Sequence, residues 1–278
     1  MQIDEKHNKK THILIVAGPT SSGKSDLAVQ LALTRNGEVI SADSRQVYKG
    51  LDIGTGKITK NEMQNVPHYC LDIADPNDEF SVFDWVHQAE KSIKEIINKN
   101  KLPIICGGTG MYIDALVYGL PDTPARDKDF EEKYKNKTEE EILMEIKNIN
   151  QDFESKSAGN RRRLLRELEI LQTVGTIPKR NREPKYDVEW IIIDKTKEEL
   201  QGRIKIRTEK RIDGIISETE NLLKSVKKEK LASIGIEYKE TINYLENKIS
   251  REELIQNIIT RSWQYAKRQM TWNKKYAK

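Results

Sequence analysis

A glycine-rich, phosphate-binding segment constrains the fold more than any other part of this sequence. It runs Gly18-Pro-Thr-Ser-Ser-Gly-Lys-Ser25 and matches the pattern G-x-x-x-x-G-K-S. The apolar run His12–Gly18 before it predicts a buried parallel strand, and the spacing of Leu and Ala in Ser25–Thr34 predicts a helix after it. Backbone N–H groups of such a loop, together with the helix N-terminus, bind phosphate. The segment predicts an α/β protein that holds a di- or triphosphate, whether or not this belongs to ATP.

Strand and helix signals alternate through the first part of the chain. Further strands are predicted at Glu38–Ser41, His68–Ile73 and Leu102–Cys106. A long helix is predicted at Ser81–Asn100, with Ser81 as its N-cap and an apolar stripe along one face. This alternation is typical of a doubly wound, mostly parallel sheet with helices on its faces.

The alternation is interrupted in the middle of the chain. Residues 122–185 carry only charged, helix-forming sequence, and the strand pattern resumes at Glu189–Asp194 before a helical C-terminal part. We therefore predict an α/β fold with a P-loop NTPase-like parallel sheet core, a helical insertion domain and a helical C-terminus. The core would comprise 11–120 plus 187–278, and the insertion 121–186.

Composition narrows the class of protein. No apolar run approaches the roughly 18–20 residues that span a membrane, and the charged start MQIDEKHNKK lacks the apolar region of a secretory signal. Cys70 and Cys106 each lie within an apolar run and predict two buried, reduced thiols rather than a disulfide or metal site. We expect a cytoplasmic protein that does not associate with membranes, and we expect a monomer.

Basic residues are concentrated in the C-terminal part of the chain. Residues 201–278 contain 18 Lys and Arg against 10 Asp and Glu, although the net charge of the whole chain is only +4. From Ile259 onward there are six basic residues, including Lys278, and no acidic one. A basic tail can be a solvated surface, but interleaved aromatic rings favour a polyanion that also stacks. The rings are Trp263, Tyr265, Trp272 and Tyr276.

A polar cluster follows the second predicted strand. It reads Asp43-Ser-Arg-Gln-Val-Tyr48 and falls at the carboxyl edge of the sheet, where ligands bind in open α/β folds. A carboxylate and an amide side by side can bind an adenine, because the carboxylate accepts from its N6 amine. Asp43 could instead bind a metal ion, as in a small-molecule kinase. The residues alone also allow a non-catalytic RNA-binding protein.

Five segments of the sequence resemble those of one protein family: the phosphate loop, Asp43–Thr55, Pro67–Pro76, Gly107–Tyr112 and Ala266–Trp272. The family that they resemble is that of the bacterial tRNA dimethylallyltransferases (tRNA isopentenyltransferases). The resemblance implies transfer of the dimethylallyl group of dimethylallyl diphosphate to N6 of the adenine on the 3′ side of the anticodon, in tRNAs that read codons starting with U. The phosphate loop would then hold the diphosphate, although its motif is also a nucleotide- and ATP-binding pattern. An isopentenyltransferase that acts on free adenine nucleotides is the alternative that this resemblance leaves open.

The resemblance and the loop chemistry together assign the reacting groups. Asp43 would act as the general base, and Thr20 and Arg207 would assist catalysis. The Ser25 hydroxyl is placed to ligate Mg²⁺, the expected cofactor. The residues expected to bind the diphosphate are Gly18, Pro19, Thr20, Ser21, Ser22, Gly23, Lys24, Ser25 and Arg207.

The tRNA anticodon stem-loop is the expected macromolecular partner. The Arg-rich segment Asn160–Glu169 resembles a helix of the family's inserted domain, and we expect it and the basic tail to contact RNA phosphates. After Arg207 the sequence departs from the family pattern, being one residue shorter and lacking a methionine. The expected tRNA contacts are Asp43, Ser44, Arg45, Gln46, Thr109, Arg126, Arg162, Arg163, Arg166, Lys267 and Arg268.

Overall fold

The computed structural model describes residues 10–276, except 125, 128, 156 and 179–182. The charged N-terminal stretch and Lys278, both used in the sequence predictions, lie outside the described residues. The chain divides into two compact units, the first formed by the residues up to Val117 together with those from Pro184, and the second by Tyr118–Glu183. Among the described helices, none combines the length and the apolar character needed to cross a membrane.

The first unit is built on a five-stranded sheet in which every strand pair is parallel. The predicted parallel α/β core is therefore confirmed. The spatial order is β3-β2-β4-β1-β5. The strands are β1 (His12–Ala17), β2 (Gly37–Ser41), β3 (His68–Tyr69), β4 (Leu102–Gly107) and β5 (Asp187–Ile192).

The central strands are apolar on both faces because helices cover both sides of the sheet. In β1, the side chains from Ile13 to Val16 are all fully buried. Leu14 is in register with Ile104 of β4 on one side and with Glu189 of β5 on the other. This explains why β1 appears in the sequence as a continuous apolar run rather than as alternating residues.

The third strand is shorter than its sequence predicts. The prediction over His68–Ile73 was wrong beyond Tyr69, because Cys70 and Asp72 adopt left-handed backbone conformations with φ of 60° and 54°. The backbone N–H of Asp72 instead donates to the carbonyl of Gln46, at 3.3 Å. The chain after β3 therefore leaves the sheet and packs against the loop that follows β2.

The predicted helices of the first unit are present. Ser81 caps the helix that it precedes, since its hydroxyl accepts from the N–H of Asp84 while the Asp84 carboxylate accepts from Ser81. In chain order the helices are α1 (Lys24–Thr34), α2 (Lys60–Met63), α3 (Val82–Asn98), α4 (Gly110–Tyr118), α5 (Phe130–Lys133), α6 (Glu139–Ile149), α7 (Arg161–Val174), α8 (Lys197–Leu222), α9 (Lys228–Ile234), α10 (Ile236–Leu245) and α11 (Arg251–Asn273).

The second unit contains α5, α6 and α7, and its described residues include no strand. It falls where the sequence predicts a helical insertion at 121–186. Its core is formed by buried side chains from all three helices, among them Phe130, Ile142 and Leu164. Helix α7 ends at Gly175, which has a φ of 74° and so adopts the left-handed conformation that glycine tolerates best.

Both cysteines are buried and free, as predicted. Burial raises the pKa of Cys70 to about 12 and that of Cys106 to about 11. Both side chains therefore remain protonated thiols at neutral pH.

Two of the four aromatic rings in the C-terminal basic segment are occupied within the chain. Trp272 Nε1 donates to the Asp114 carboxylate at 3.1 Å, and Tyr276 donates its hydroxyl to the same carboxylate at 2.6 Å. The Tyr276 ring also stacks on Trp190 of β5, with 4.1 Å between ring centroids. The expectation that these two rings offer free stacking surfaces to a polyanion was wrong, because they anchor α11 to the sheet.

A pair of glycine substitutions tests the packing at the carboxyl edge of the sheet. A Cβ at Gly107 would lie 2.2 Å from the Ala42 carbonyl oxygen, a backbone atom that cannot move aside. We expect Gly107→Ala to lower the free energy of unfolding by about 1–3 kcal/mol in denaturant titrations. The control is Gly202→Ala in α8, where a Cβ would meet nothing within 4 Å. We expect this substitution to raise the free energy of unfolding by up to about 1 kcal/mol, because alanine favours a helix over glycine. Equal effects of the two substitutions would contradict this packing.

Candidate active site

The phosphate loop forms a tight turn between β1 and α1. Ser21 and Gly23 have φ angles of 63° and 90°, and the N–H of Ser22 donates to the Pro19 carbonyl at 3.2 Å. A Cβ at Gly18 would lie 2.8 Å from the Ser22 hydroxyl and 3.2 Å from Ile193 Cβ, so a side chain would crowd the point where the strand enters the turn. The loop is thus wound closely before α1 begins at Lys24.

A cavity of about 700 Å³ lies beside this loop, entirely within the first unit. It brings together the predicted loop residues and the predicted cluster after β2, which are separated in the sequence but share one edge of the sheet. The predicted residues that line it are Thr20, Ser21, Gly23, Lys24, Ser25, Asp43, Arg45, Gln46 and Arg207.

Lys24 is held over the loop that it follows. Its Nζ donates to the Pro19 carbonyl at 3.4 Å. Burial lowers the pKa of Lys24, and the charges of Arg207 and Arg45 act in the same direction, whereas Cys106 and Asp43 oppose them. An anion bound in the loop would offset this penalty by pairing with the ammonium group.

Arg207 reaches the loop from α8. Its Nη1 donates to the Thr20 hydroxyl at 3.2 Å and to the Ser21 hydroxyl at 3.4 Å, and its Nη2 to the Thr55 carbonyl at 3.5 Å. Burial lowers the pKa of Arg207 as well. One helical turn earlier, Arg203 donates to the Ser21 carbonyl at 3.2 Å, an interaction that the sequence did not predict.

Gln269 of α11 is a further neighbour of the loop that the sequence did not predict. The backbone N–H of Thr20 donates to Gln269 Oε1 at 2.8 Å, and Gln269 Nε2 donates to the Gly108 carbonyl at 2.9 Å. The side chain is buried and so joins the phosphate loop to the end of β4. The only signal in the sequence was its position inside the segment Ala266–Trp272 that carries the family resemblance.

Asp43 lines the same cavity as the loop, and its carboxylate accepts the backbone N–H of Arg45 at 3.0 Å. The Arg45 guanidinium donates to Glu237 at 2.9 Å and lies 4.9 Å from the centroid of the Tyr265 ring. Burial opposes its charge, but the carboxylates of Glu237 and Asp43 outweigh burial and raise the pKa of Arg45. Arg45 therefore stays charged beside Asp43.

The other residues of this cluster are fixed by hydrogen bonds. The Gln46 amide accepts from the Ser41 hydroxyl and donates to the Gly56 carbonyl, both at 3.2 Å. The backbone N–H of Ser44 donates to the Thr109 hydroxyl at 3.1 Å. Thr109 is buried, so it supports the cluster from behind rather than lining the cavity.

The predicted RNA-contacting cations of α11 are accessible. Lys267 and Arg268 are both exposed. Each lies near an aromatic ring of its own helix: Lys267 Nζ is 5.9 Å from the Trp263 ring centroid, and the Arg268 guanidinium carbon is 5.7 Å from that of Tyr265. This part of the helix therefore presents two exposed cations, each of which lies near an aromatic ring.

The predicted RNA-contacting cations of the second unit fall into two groups. Arg162 and Arg163 of α7 are exposed. Arg166 donates to the Glu169 carboxylate at 2.6 Å, and Arg126 forms an ion pair with an acidic side chain of the same unit. Of these four predicted cations, Arg162 and Arg163 are the two that are exposed and outside these ion pairs, so they are available to a phosphate.

Several residues of the cavity were not predicted from the sequence. Three arginines of α8 share a helix face because they are spaced four residues apart, a pattern that is visible in the sequence. Of the others, Thr55 and Gln269 lie in segments that carry the family resemblance, whereas Glu237 lies in a segment with no motif. The unpredicted lining residues include Thr55, Gly56, Arg203, Lys210, Arg211, Glu237, Tyr265 and Gln269.

Replacing Gln269 tests how far the loop depends on α11. Gln269→Leu would leave the Thr20 N–H and the Gly108 carbonyl without their partner, so we expect a loss of about 1–3 kcal/mol in the free energy of unfolding. Binding of inorganic diphosphate, measured by calorimetry, should weaken too, because the loop loses its support. Gln264→Leu on the exposed face of α11 is the control and should change stability by less than about 0.5 kcal/mol. Wild-type stability of Gln269→Leu would contradict the proposed support.

Comparison with known proteins finds relatives along nearly the whole chain. The family described as IPP transferase matches residues 46–276. A protein named tRNA dimethylallyltransferase from Thermoanaerobacter sp. (strain X514) is 40% identical over 280 residues, covering 95% of this chain and 89% of the relative.

Solved structures show the same relationship. The full-length tRNA isopentenylpyrophosphate transferase from Bacillus halodurans is 34% identical, with a TM-score of 0.69 and coverage of 96% of this chain and 87% of that one. A eukaryotic dimethylallyltransferase acting on tRNA is 27% identical, with a TM-score of 0.80 and coverage of 95% and 70%. The resemblance noted in the sequence is confirmed: the chain belongs to the IPP transferase family, together with the tRNA dimethylallyltransferases.

Proposed function

We propose that this tRNA dimethylallyltransferase modifies N6 of the adenine on the 3′ side of the anticodon, in tRNAs that read codons starting with U. Family membership supports transfer of a dimethylallyl group to tRNA. The observation that carries the mechanism is that a phosphate loop and the Asp43 carboxylate line one cavity. Such a cavity can hold a diphosphate ester next to an acceptor amine.

The loop and its cationic neighbours would bind the diphosphate of dimethylallyl diphosphate. As the C–O bond of the allylic carbon breaks, the electron pair leaves with the diphosphate and positive charge spreads over the allyl group. The loop amides, Lys24 and Arg207 would stabilise the negative charge that develops on the departing oxygens. Thr20, whose hydroxyl already accepts from Arg207, can donate its own proton to the same oxygens.

Mg²⁺ fits the chemistry of this site. The ion prefers oxygen ligands and characteristically takes one or two from the protein, completing its shell with phosphate oxygens and water. The Ser25 hydroxyl lies on the cavity beside the loop and supplies such an oxygen. When bound, the ion would add positive charge next to the leaving diphosphate.

Asp43 would act on the acceptor. The adenine N6 is a weak nucleophile because its lone pair is conjugated with the ring. As N6 forms the C–N bond to the allylic carbon, it becomes cationic, and one of its protons passes to the Asp43 carboxylate. Arg45, held by Glu237, would keep the neighbouring backbone in place while Asp43 accepts this proton.

The adenine would have to leave the anticodon loop to enter the cavity. Gln46 is suited to read it: each end of its amide makes one bond within the chain, which leaves one N–H and one lone pair for a base edge. Arg45, which lines the cavity, would contact the base, and the hydrogen bond between Ser44 and Thr109 would hold this cluster in place. RNA phosphates would contact the exposed cations of α7 and α11.

Label transfer tests the proposed reaction. Unmodified tRNA is incubated with dimethylallyl diphosphate labelled in the allyl group, or with ATP labelled in the γ-phosphate, and the modified nucleoside is then mapped. We expect the allyl label to enter RNA at the adenine 3′ of the anticodon. Entry of the γ-phosphate label would identify a kinase, and allylation of free adenine nucleotides in preference to tRNA would identify an isopentenyltransferase for free nucleotides instead.

Removing the proposed base provides a second test. Asp43→Asn keeps the size of the side chain but cannot accept the N6 proton, so we expect kcat to fall by about 10²-fold or more in a folded protein. Asp213→Asn, at an exposed ion pair with Arg251, is the matched control and should leave kcat unchanged. An Asp43→Asn variant within roughly threefold of the wild type would rule out the assigned role.

The exposed cations provide a test of phosphate binding. Replacing Arg162, Arg163, Lys267 and Arg268 with Ala should weaken binding to all substrate tRNAs about equally, because interactions with phosphates carry no sequence information. The slope of log K against log salt should flatten by about 0.7–0.9 for each phosphate that is no longer neutralised. tRNA affinity measured across a salt series for each variant gives this slope.

Two controls separate charge from base recognition. Replacing the exposed Lys91 and Lys94 of α3 removes cations that are not expected to touch RNA and should leave the slope unchanged. Gln46→Ala should reduce discrimination of adenine at the target position, again without a change in slope. An unaltered slope after removal of all four proposed cations would contradict the assignment.

A further inference from the structure

Helix α8 carries a third arginine on the face that meets the phosphate loop. Arg203, Arg207 and Arg211 follow one another at intervals of four residues, so their side chains share one side of the helix. The first two are bound to the loop, Arg203 through the Ser21 carbonyl and Arg207 through the Thr20 hydroxyl. Arg211 lines the same cavity one helical turn further along.

The Arg211 guanidinium is buried without full compensation. Its Nη2 is inaccessible to solvent and has no hydrogen-bond partner among the described residues. Burial and the charge of Arg207 lower the pKa of Arg211 to about 10, against the opposing effect of Glu237 and Glu218. The group is therefore still charged at neutral pH, and a buried N–H donor of a charged group that lacks a hydrogen-bond partner is costly in free energy.

The neighbouring carboxylates are engaged by other groups. Glu218 accepts the backbone N–H groups of residues 52–54 at distances of 2.6–2.9 Å, as well as the hydroxyl of Tyr238 at 2.8 Å. Glu237 accepts from Arg45 at 2.9 Å. Both acids lie near Arg211, but their hydrogen bonds hold a loop and a second arginine in place.

The guanidinium groups of Arg207 and Arg211 converge at Gly56. A Cβ at this position would lie 2.1 Å from Arg207 Nη2 and 2.8 Å from Arg211 Nη1, and the φ of Gly56 is 64°. Two like charges that approach one point repel each other unless an anion lies between or beside them. The missing side chain of Gly56 allows both groups to reach the cavity wall together.

We propose that Arg211 is a further substrate-binding residue, which with Arg207 binds the terminal phosphate of the allylic diphosphate. This inference rests on the proposed function, because dimethylallyl diphosphate supplies that phosphate. A pair of guanidinium groups matches phosphate oxygens through several parallel N–H donors. The pair would make the site selective for diphosphates over monophosphates, since only a diphosphate reaches both the loop and Arg211.

Binding of simple anions tests this assignment on the full chain. Inorganic diphosphate and inorganic phosphate are titrated separately into the wild type, Arg211→Gln and Lys205→Gln, the last of which removes an exposed cation from the same helix. We expect Arg211→Gln to weaken diphosphate binding about tenfold or more, because a charge-assisted hydrogen bond is removed. The affinity of Arg211→Gln for inorganic phosphate should stay within about twofold of the wild type. Lys205→Gln should bind both anions within about twofold of the wild type.

Stability distinguishes a binding role from a structural one. Arg211→Met removes an uncompensated buried charge, so the ligand-free variant should unfold at the same denaturant concentration as the wild type or at a higher one. A structural arginine would instead give a lower midpoint. The proposal is overturned if Arg211→Gln binds diphosphate like the wild type, if tRNA affinity falls in place of diphosphate affinity, or if Arg211→Met is destabilised.

A failure of the proposed role of Arg211 can be distinguished from a failure of the proposed reaction. Arg207→Gln serves as the reference, because removal of its hydrogen bonds to the loop should weaken diphosphate binding whatever Arg211 does. If Arg207→Gln weakens binding and Arg211→Gln does not, the role of Arg211 fails and the proposed reaction stands. If diphosphate binding depends on both arginines but no allyl group enters tRNA, the proposed reaction fails and the anion site remains.

Discussion

Positive charge gathered around the phosphate loop is the constraint to which the rest of the site is adapted. Lys24, Arg207 and Arg211 face one cavity, and burial lowers the pKa of all three. The loop amides and the N-terminus of α1 add further partial positive charge. Such an arrangement is costly in the ligand-free protein and favourable once a multiply charged anion binds. This balance is what the proposed function requires, because the proposed leaving group gains negative charge during the reaction.

The fold also brings Asp43, the base in the proposed reaction, to the cavity beside the phosphate loop. Parallel strands end at one edge of a sheet, so the loop after β1 and Asp43 after β2 face a common space. Long-range hydrogen bonds then hold the loop and the segment around Asp43 in position. Gln269 joins the loop to the end of β4, and Glu237 holds Arg45 next to Asp43. Both the loop and the Asp43 segment depend on residues far away in the sequence. This accounts for the spread of the family's characteristic segments along the chain.

The parts of the site that the residues alone predicted are those whose conformation is set locally, whereas Arg207, which is 187 residues from its partner Thr20, was predicted through the family resemblance. The loop from Gly18 to Ser25 needs only its own glycines and its position between a strand and a helix, so its motif was sufficient. The role of Gln269 could not be predicted in this way, because its partner Thr20 is 249 residues away. For Arg211, the four-residue spacing on α8 was visible, but its burial depends on the loop around Gly56.

Similar reasoning explains the errors in the fold. The apolar residues after His68 satisfy a strand pattern, yet Cys70 and Asp72 adopt left-handed conformations because the chain packs there against the loop after β2. In the sequence, the aromatic residues near the end of α11 have the pattern of a stacking surface. In three dimensions Trp272 and Tyr276 meet Asp114. A pattern of residue types cannot tell an exposed ring from one that anchors a helix.

The most direct test of the role of the phosphate loop is to remove its cation and measure the two substrates separately. Lys24→Ala takes away a charge that we assign to the diphosphate alone. We therefore expect dimethylallyl transfer to fall by about 10²-fold or more, while the Kd for tRNA stays within about twofold of the wild type. If tRNA affinity falls in parallel with transfer, the loop binds RNA phosphates, and its assignment to the leaving diphosphate is wrong.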